Sequence, residues 1–302
     1  MSDVSVVISV YSIERADDVV ACIESLKKQT IPPKEIVVVL DPDNTLVSYY
    51  KKRLDSSVKL VVSDVFGLSA ARNMGIKNCT SELVAFIDDD AVADKNWLRN
   101  LVGNFDNPLI IGVGGRIIPV WPNKNPDWFP EELYWIVGCS YKGLPIKKAI
   151  IRNPIGCNMV FRRSVFENTG FFNTDMGRVG SVLMGHDDTE FGIRATSKLP
   201  GTKIIYDPQA IVYHRVSPNR VSLKYVVRRS YSEGFSKASI SNSAQINKET
   251  LNTEKNYLRS LLVSTPQVLL QGNVQTGSLR CLTLWIATSM VFLGYVVGSK
   301  SV

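Results

Sequence analysis

Leu83-Val-Ala-Phe-Ile87-Asp88-Asp89-Asp90 sets five apolar residues directly against three consecutive acids. A run that is apolar at every position, rather than at alternate ones, belongs to a strand covered on both faces, as in a parallel sheet. Outward from it, Val4 to Val10 (VSVVISV), Glu35 to Leu40 (EIVVVL) and Val58 to Val62 (VKLVV) have the same character, each bounded by turn-forming or charged residues. Helical patterns separate them. Ala16 to Gln29 carries Val19, Val20, Ile23 and Leu26 at helical spacing, and Leu68 to Lys77 follows Gly67 into a further helix. Strand and helix alternate four times, which predicts an α/β sheet with crossover helices.

Beyond Ala91 the rhythm loosens. Strands are expected near Ile110 to Ile118, Ile155 to Arg162 and Ile204 to Tyr213, with a Trp/Pro loop from Trp121 to Pro130 and a helix from about Asp188 to Lys198. Val221 to Ile240 reads as a basic amphipathic helix and Ser241 to Asn256 as a polar linker. The expected organisation is a domain over 1–215 with an internal division at 118, a basic helix and linker over 216–256, and an apolar helical tail over 257–302.

The whole chain has 302 residues, 45% apolar and 21% charged, which excludes disordered and fibrous classes. Cys22, Cys79, Cys139, Cys157 and Cys281 are odd in number and form no C-x-x-C pair, and there are two histidines. A disulfide framework or a Cys/His zinc site is therefore not expected, and the thiols read as reduced. The net charge of +7 is uneven: residues 215 to 302 hold 11 Lys/Arg against 3 Asp/Glu, or +8, leaving −1 for the rest. No aromatic-interleaved basic strand or recognition helix accompanies this excess, so nucleic acid is not the expected partner; an anionic membrane surface is. Cys281 to Gly298 (CLTLWIATSMVFLGYVVG) is 18 residues without a charge between Arg280 and Lys300. It reads as a spanning or interfacial segment, or alternatively as a buried helix. Met1-Ser-Asp-Val lacks a signal-peptide pattern, so the globular part is expected at the cytoplasmic face of the cell membrane.

In open α/β sheets ligands bind at the carboxyl ends of strands. Here those ends read Tyr11-Ser-Ile-Glu14, Asp41-Pro-Asp43-Asn44 and Asp88-Asp89-Asp90, so acidic groups converge on one edge. Three adjacent aspartates repel one another unless solvated, used as caps or bound to a cation, and Asp88 and Asp90 have D-x-D spacing. Such carboxylates suit Mn²⁺ or Mg²⁺ shared with a diphosphate. Gly67-Leu-Ser-Ala-Ala-Arg72-Asn73-Met-Gly75 presents a helix N-terminus and one Arg, either toward an anionic ligand or as ordinary capping.

VSVVISVY, EIVVVLD, GLSAARNMGI and LVAFIDDD, in that order, resemble the nucleotide-binding half of family 2 glycosyltransferases, whose fold is GT-A. Gly156-Cys-Asn158-Met-Val-Phe-Arg-Arg163, Gly170-Phe-Phe and Gly185-His-Asp187-Asp188-Thr-Glu190-Phe with Arg194 resemble that family's acceptor-side block, so the likeness covers residues 4 to about 215. It implies a nucleotide-sugar half over 1–118 and an acceptor half over 119–215. It further implies that Tyr11, Glu14, Asp41, Arg72 and Asp88 bind a nucleoside-diphosphate sugar, with a UDP-sugar favoured. Asp90, and His214 if it is more than structural, would face the metal. Asp188 would be the catalytic base, with Asp187 beside it in place of the family's usual Glu.

Pro126-Asp-Trp-Phe-Pro-Glu-Glu-Leu-Tyr-Trp-Ile-Val-Gly-Cys139 resembles archaeal-type enzymes that extend dolichyl-phosphate-linked glycans. Its aromatics read either as core or as a wall for acceptor sugar or lipid. The implied activity is inverting transfer of a sugar to a hydroxyl of a lipid-linked saccharide. A polyprenyl-phosphate acceptor, a polysaccharide acceptor and a non-catalytic nucleotide-sugar module are the alternatives.

Overall fold

The computed structural model describes residues 3–176, 185–242, 261, 265–269 and 274–300. Two compact units make up the chain: Met1–Ile118 with Pro145–His214, and Pro119–Leu144 with Arg215–Val302. Residues 119–144, placed by sequence in the acceptor half, thus group with the C-terminal helices.

In the first unit, β1 (Val4–Val10), α1 (Ala16–Lys27), β2 (Glu35–Leu40), α2 (Asn44–Arg53), β3 (Lys59–Val62), α3 (Leu68–Asn78) and β4 (Leu83–Asp88) realise the predicted alternation. β1 pairs in parallel with β2 and β4, and β2 with β3. Asp43 caps α2 by accepting from the Leu46 N–H at 2.8 Å. The later elements are β5 (Ala91–Ala93), α4 (Trp97–Val102), β6 (Ile110–Val120), β7 (Ala149–Ile151), β8 (Asn158–Arg162), α5 (Arg163–Thr169), α6 (Asp187–Lys198) and β9 (Lys203–Arg215). The sheet runs β3-β2-β1-β4-β8-β6-β9-β5, with β7 on β9.

Two features depart from the sequence reading. β3 is an edge strand, starts at Lys59 rather than Val58, and is partly exposed throughout instead of buried on both faces. Past β4 the sheet turns antiparallel through β8, which the single-strand apolar pattern did not distinguish.

This topology places chemistry. β1 has β2 on one side and β4 on the other, so the chain switches direction there and leaves a crevice at the carboxyl ends. Register then sets Ser9 beside Asp88, Ile87 beside Asn158 and Ala91 beside His214. Residues from five strands meet at one edge for that reason alone.

Beneath lies an apolar cluster including Val7, Val39, Phe86, Phe161, Phe166, Phe172 and Phe191, all buried. Phe166 stacks on Phe191 with ring centroids at 4.6 Å, and Phe161 meets Phe191 edge-on at 5.0 Å. Each fully buried ring contributes about 1.5–3 kcal/mol of transfer free energy. α3 approaches β1 so closely that a Cβ on Gly75 would lie 2.4 Å from a Val7 methyl.

In the second unit a 3₁₀ stretch, Glu131–Val137, is followed in the chain by α7 (Leu223–Asn242) and α8 (Val274–Lys300). Phe129 is fully buried and touches Trp121 and Trp128 at 5.6 and 5.4 Å, while Tyr134 meets Trp121 at 5.4 Å. α8 is long and apolar enough to cross a membrane, by length and composition. It begins seven residues before the uncharged stretch seen in the sequence and so takes in Arg280. Most of the expected linker to Asn256, and most of 257–273, lies outside the described residues.

Candidate active site

β4 ends at Asp88 and delivers its three acids to different surroundings. Asp89 and Asp90 are buried and share one guanidinium: Arg15 Nη1 lies 2.6 Å from Asp89 Oδ1 and 2.9 Å from Asp90 Oδ2. Burial pushes the Asp89 carboxyl up to about 7, with Asp90 adding to the rise and Arg15 opposing it. Arg15 in turn sits 4.8 Å from the centroid of the Tyr11 ring. The mutual repulsion of the acids is thus met partly by an arginine that the sequence reading missed. Its only signal was a lone cation in the turn after β1.

Tyr11 is half-exposed and Glu14 exposed at the end of β1. Asp41, after β2, accepts from the Gly67 N–H at 3.3 Å, and burial raises its carboxyl. The other Asp90 oxygen, Oδ1, is 3.2 Å from His214 Nε2. One carboxylate oxygen of Asp88, the Cys157 thiol and a His214 ring nitrogen lie within 4.8 Å of one another. One carboxylate, one imidazole and one thiol are a donor set that could hold a divalent ion, softer than the all-oxygen surroundings Mg²⁺ prefers. Cys157 is a member of this group that the sequence reading passed over. Antiparallel pairing of β8 with β4 brings it there.

The second half of the site hangs on Arg72. Gly67, with φ 122°, turns the chain into α3 in a conformation that favours glycine. In the first turn, Ser69 Oγ donates to Asp187 Oδ2 at 3.1 Å; the next turn brings Arg72 Nη1 to the same oxygen at 2.7 Å. Arg72 Nη2 is 3.7 Å from Asp88 Oδ1, so the buried guanidinium links the two acidic clusters. Asn73 clamps Phe172, donating to its carbonyl at 2.8 Å and accepting its N–H at 2.9 Å. The segment that looked like a helix start is therefore a brace between β4 and α6.

α6 begins at Asp187 behind His186, whose φ of 89° is left-handed and whose side chain makes no cap bond to the helix. Asp187 faces Ser69 and Arg72. Asp188, partly exposed, accepts from the Gly156 N–H at 2.9 Å. Burial raises the Asp188 carboxyl, Asp187 adds to the rise, and Arg72 and His186 oppose it. Such a group is a stronger base than a solvated aspartate. A Cβ on Gly156 would lie 2.4 Å from Arg72 Nη2. Gly156→Ala is accordingly expected to displace the guanidinium and cost about 1–3 kcal/mol, measured as a lower denaturant midpoint.

Asp88, Asp90, Arg72, Asp187, Asp188 and His214 are thus linked at one edge of the first unit, with Asp41 tied to the Gly67 turn that opens α3. Tyr11 joins through Arg15. The aromatic segment from Trp121 to Trp135 belongs to the second unit and packs largely on itself.

A family model described as "Glycosyl transferase family 2" matches residues 5–170. The chain is 31% identical, over 98% of its length and 96% of the relative's, to a glucosyl-dolichyl phosphate glucuronosyltransferase of Haloferax volcanii. It is 25% identical to the succinoglycan biosynthesis protein ExoM of Rhizobium meliloti, over 73% of this chain and 70% of that one. Glycosyltransferase AglE of Haloferax volcanii is also 25% identical, over 64% and 63% respectively.

Proposed function

This chain belongs to glycosyltransferase family 2 and has its GT-A fold, and from that premise we propose that it transfers a sugar, with inversion, from a nucleoside-diphosphate sugar to a hydroxyl of a lipid-linked saccharide. One observation carries the reading: Asp188, with its raised carboxyl, sits beside an Asp187–Arg72–Asp88 chain that ends at the D-x-D edge. A hydroxyl is a poor nucleophile until its proton leaves, so an acceptor of that type needs a base where an ionised phosphate does not. The 31% identical Haloferax volcanii relative is named for a glucosyl-dolichyl phosphate substrate, which supports a saccharide-bearing lipid over a bare lipid phosphate.

In this reading Tyr11, Glu14, Asp41 and Asp88 bind the donor, a UDP-sugar being favoured, and Arg72 orients Asp88 and Asp187 from within. Asp188 takes the acceptor proton as the new C1–O bond forms and the bond to the diphosphate breaks. Attack from the face opposite the leaving group inverts the anomeric centre. Asp88, Asp90, Cys157 and His214 are the residues that would hold Mn²⁺ or Mg²⁺, which when bound neutralises charge building on the diphosphate. Membrane association at the cytoplasmic face would be supplied by α8 and the basic residues around α7.

The test is to incubate the full chain with a panel of UDP- and GDP-sugars, uronic acids included, against dolichyl-phosphate-linked glucose and bare dolichyl phosphate. Extension of the linked glucose, with the anomeric configuration of the product inverted, is the expected result. Extension of the bare phosphate alone would shift the acceptor class; no transfer from any donor would end the reading. Either EDTA or Asp90→Ala should abolish turnover, because a diphosphate does not settle beside these carboxylates uncompensated. Normal turnover in both would remove the metal from the proposal.

A further inference from the structure

α7 and α8 touch backbone to backbone. A Cβ on Gly234 would fall 1.9 Å from the Val291 carbonyl oxygen, one on Gly294 2.1 Å from that of Tyr231, and one on Gly298 2.9 Å from the Ala238 Cβ. Gly294 and Gly298 have the G-x-x-x-G spacing that lets helices approach this closely. Tyr231 lies by Gly294 and Ala238 by Gly298, so the two helices run in the same direction over this stretch.

α7 is not a helix for hydrocarbon. Arg229 and Glu233 pair at 2.9 Å and Lys237 reaches Glu233 at 3.4 Å. Arg229 and Glu233 are only 9% and 8% exposed, while Lys224 and Arg228 are exposed. Given the parallel register, Arg228 and Arg229 stand beside the middle of the uncharged stretch 281–298 and Lys237 beside its end. That stretch, at 1.5 Å per residue, is about one hydrocarbon thickness long, with no slack to slide. A crossing α8 would therefore carry the exposed Lys224 and Arg228 into the bilayer core at a heavy cost, together with the paired Arg229–Glu233–Lys237 group.

The other face of α8 is bare. Leu279, Leu282, Trp285, Phe292, Leu293 and Val297 are all more than a third exposed, Phe292 at 69%, and recur at helical spacing along one side. Opposite them Cys281, Leu284, Ala287, Gly294 and Gly298 are buried.

We propose that α8 does not cross the membrane but lies along the surface of an anionic leaflet, sinking the Leu279–Val297 stripe to the headgroup–acyl boundary while α7 rides above it. Lys224, Arg228 and Arg280 then meet lipid phosphates, and Trp285 takes the interfacial depth that indoles favour. The Arg229–Glu233–Lys237 group stays out of hydrocarbon. This inference rests on the membrane association proposed above and goes further by fixing its mode.

The test uses the full chain tagged at both ends, in sealed vesicles made from expressing cells and treated with external protease. An in-plane α8 leaves both ends on one side, so each membrane-bound molecule should lose both tags or keep both. Molecules that lose one tag and keep the other until detergent is added would overturn the in-plane arrangement and leave membrane association standing. Chain that does not float with the vesicles at all would overturn both. Phe292→Glu with Leu293→Glu, two exposed positions, should weaken flotation with vesicles containing phosphatidylglycerol by about 10-fold or more. Undiminished flotation of that variant, with the protein folded, would also refute the proposal.

Discussion

Asp188→Asn should lower kcat by about 10²-fold or more and leave nucleotide-sugar affinity within a factor of about 2. The substitution keeps the shape and an oxygen that accepts from Gly156 while removing the ability to take a proton. Asp187, Arg72 and His186 face the same carboxyl, and the net effect of burial and these neighbours is to raise it. A base whose pKa is raised works above that pKa, so the wild-type rate should fall as pH drops through a value above the ordinary aspartate figure of about 3.9. The variant should lack that acid limb. A limb that persists in Asp188→Asn, or a loss confined to donor affinity, would place the base elsewhere. Asp187→Asn should reduce the chemical rate less, because Asp187 is turned toward Arg72 and Ser69, but should cost stability.

The second large effect concerns that pair. Arg72→Leu strips a buried guanidinium from Asp187 at 2.7 Å and from Asp88 at 3.7 Å, leaving an uncompensated buried carboxylate. Breaking such a pair from one side typically costs about 3–5 kcal/mol. Arg72→Leu combined with Asp187→Leu should recover part of that loss, since an apolar pair needs no counter-charge, while activity stays lost because Asp88 and α6 are no longer tied together. Urea unfolding of the single and double variants measures both. Additive losses would mean that Arg72 and Asp187 are not energetically coupled.

Much of this was legible residue by residue. VSVVISV, EIVVVL and LVAFID announced buried strands because an apolar run with no alternation has few other homes, and their carboxyl ends located Asp41 and Asp88–Asp90. What stayed hidden were partnerships made by register rather than by sequence spacing. Cys157 reaches Asp88 because β8 runs antiparallel to β4, and no local pattern encodes strand direction. Arg15 was invisible because a single cation in a turn looks like any solvated residue. Gly67 to Gly75 reads as a helix start, yet Ser69 and Arg72 share Asp187, Asn73 holds Phe172 and Gly75 packs on Val7, all far away along the chain. The edge position of β3 escaped because VKLVV alone does not say how many neighbours a strand will have.

The interrupted second unit bears on how the polypeptide is made. Residues 119–144, with Trp121, Trp128, Phe129, Tyr134 and Trp135, leave the ribosome well before residues 215–302 with which they fold. About 70 residues separate the two pieces, so at roughly 5–20 residues per second the aromatic segment waits on the order of 4 to 14 s for its partner. Throughout that interval a sticky indole-rich stretch dangles from a nascent first unit that is itself missing its last strand. Chaperone occupancy during synthesis should therefore peak over this window, and a translational pause placed between residues 144 and 215 should lower the yield of native enzyme more than one placed after Arg215.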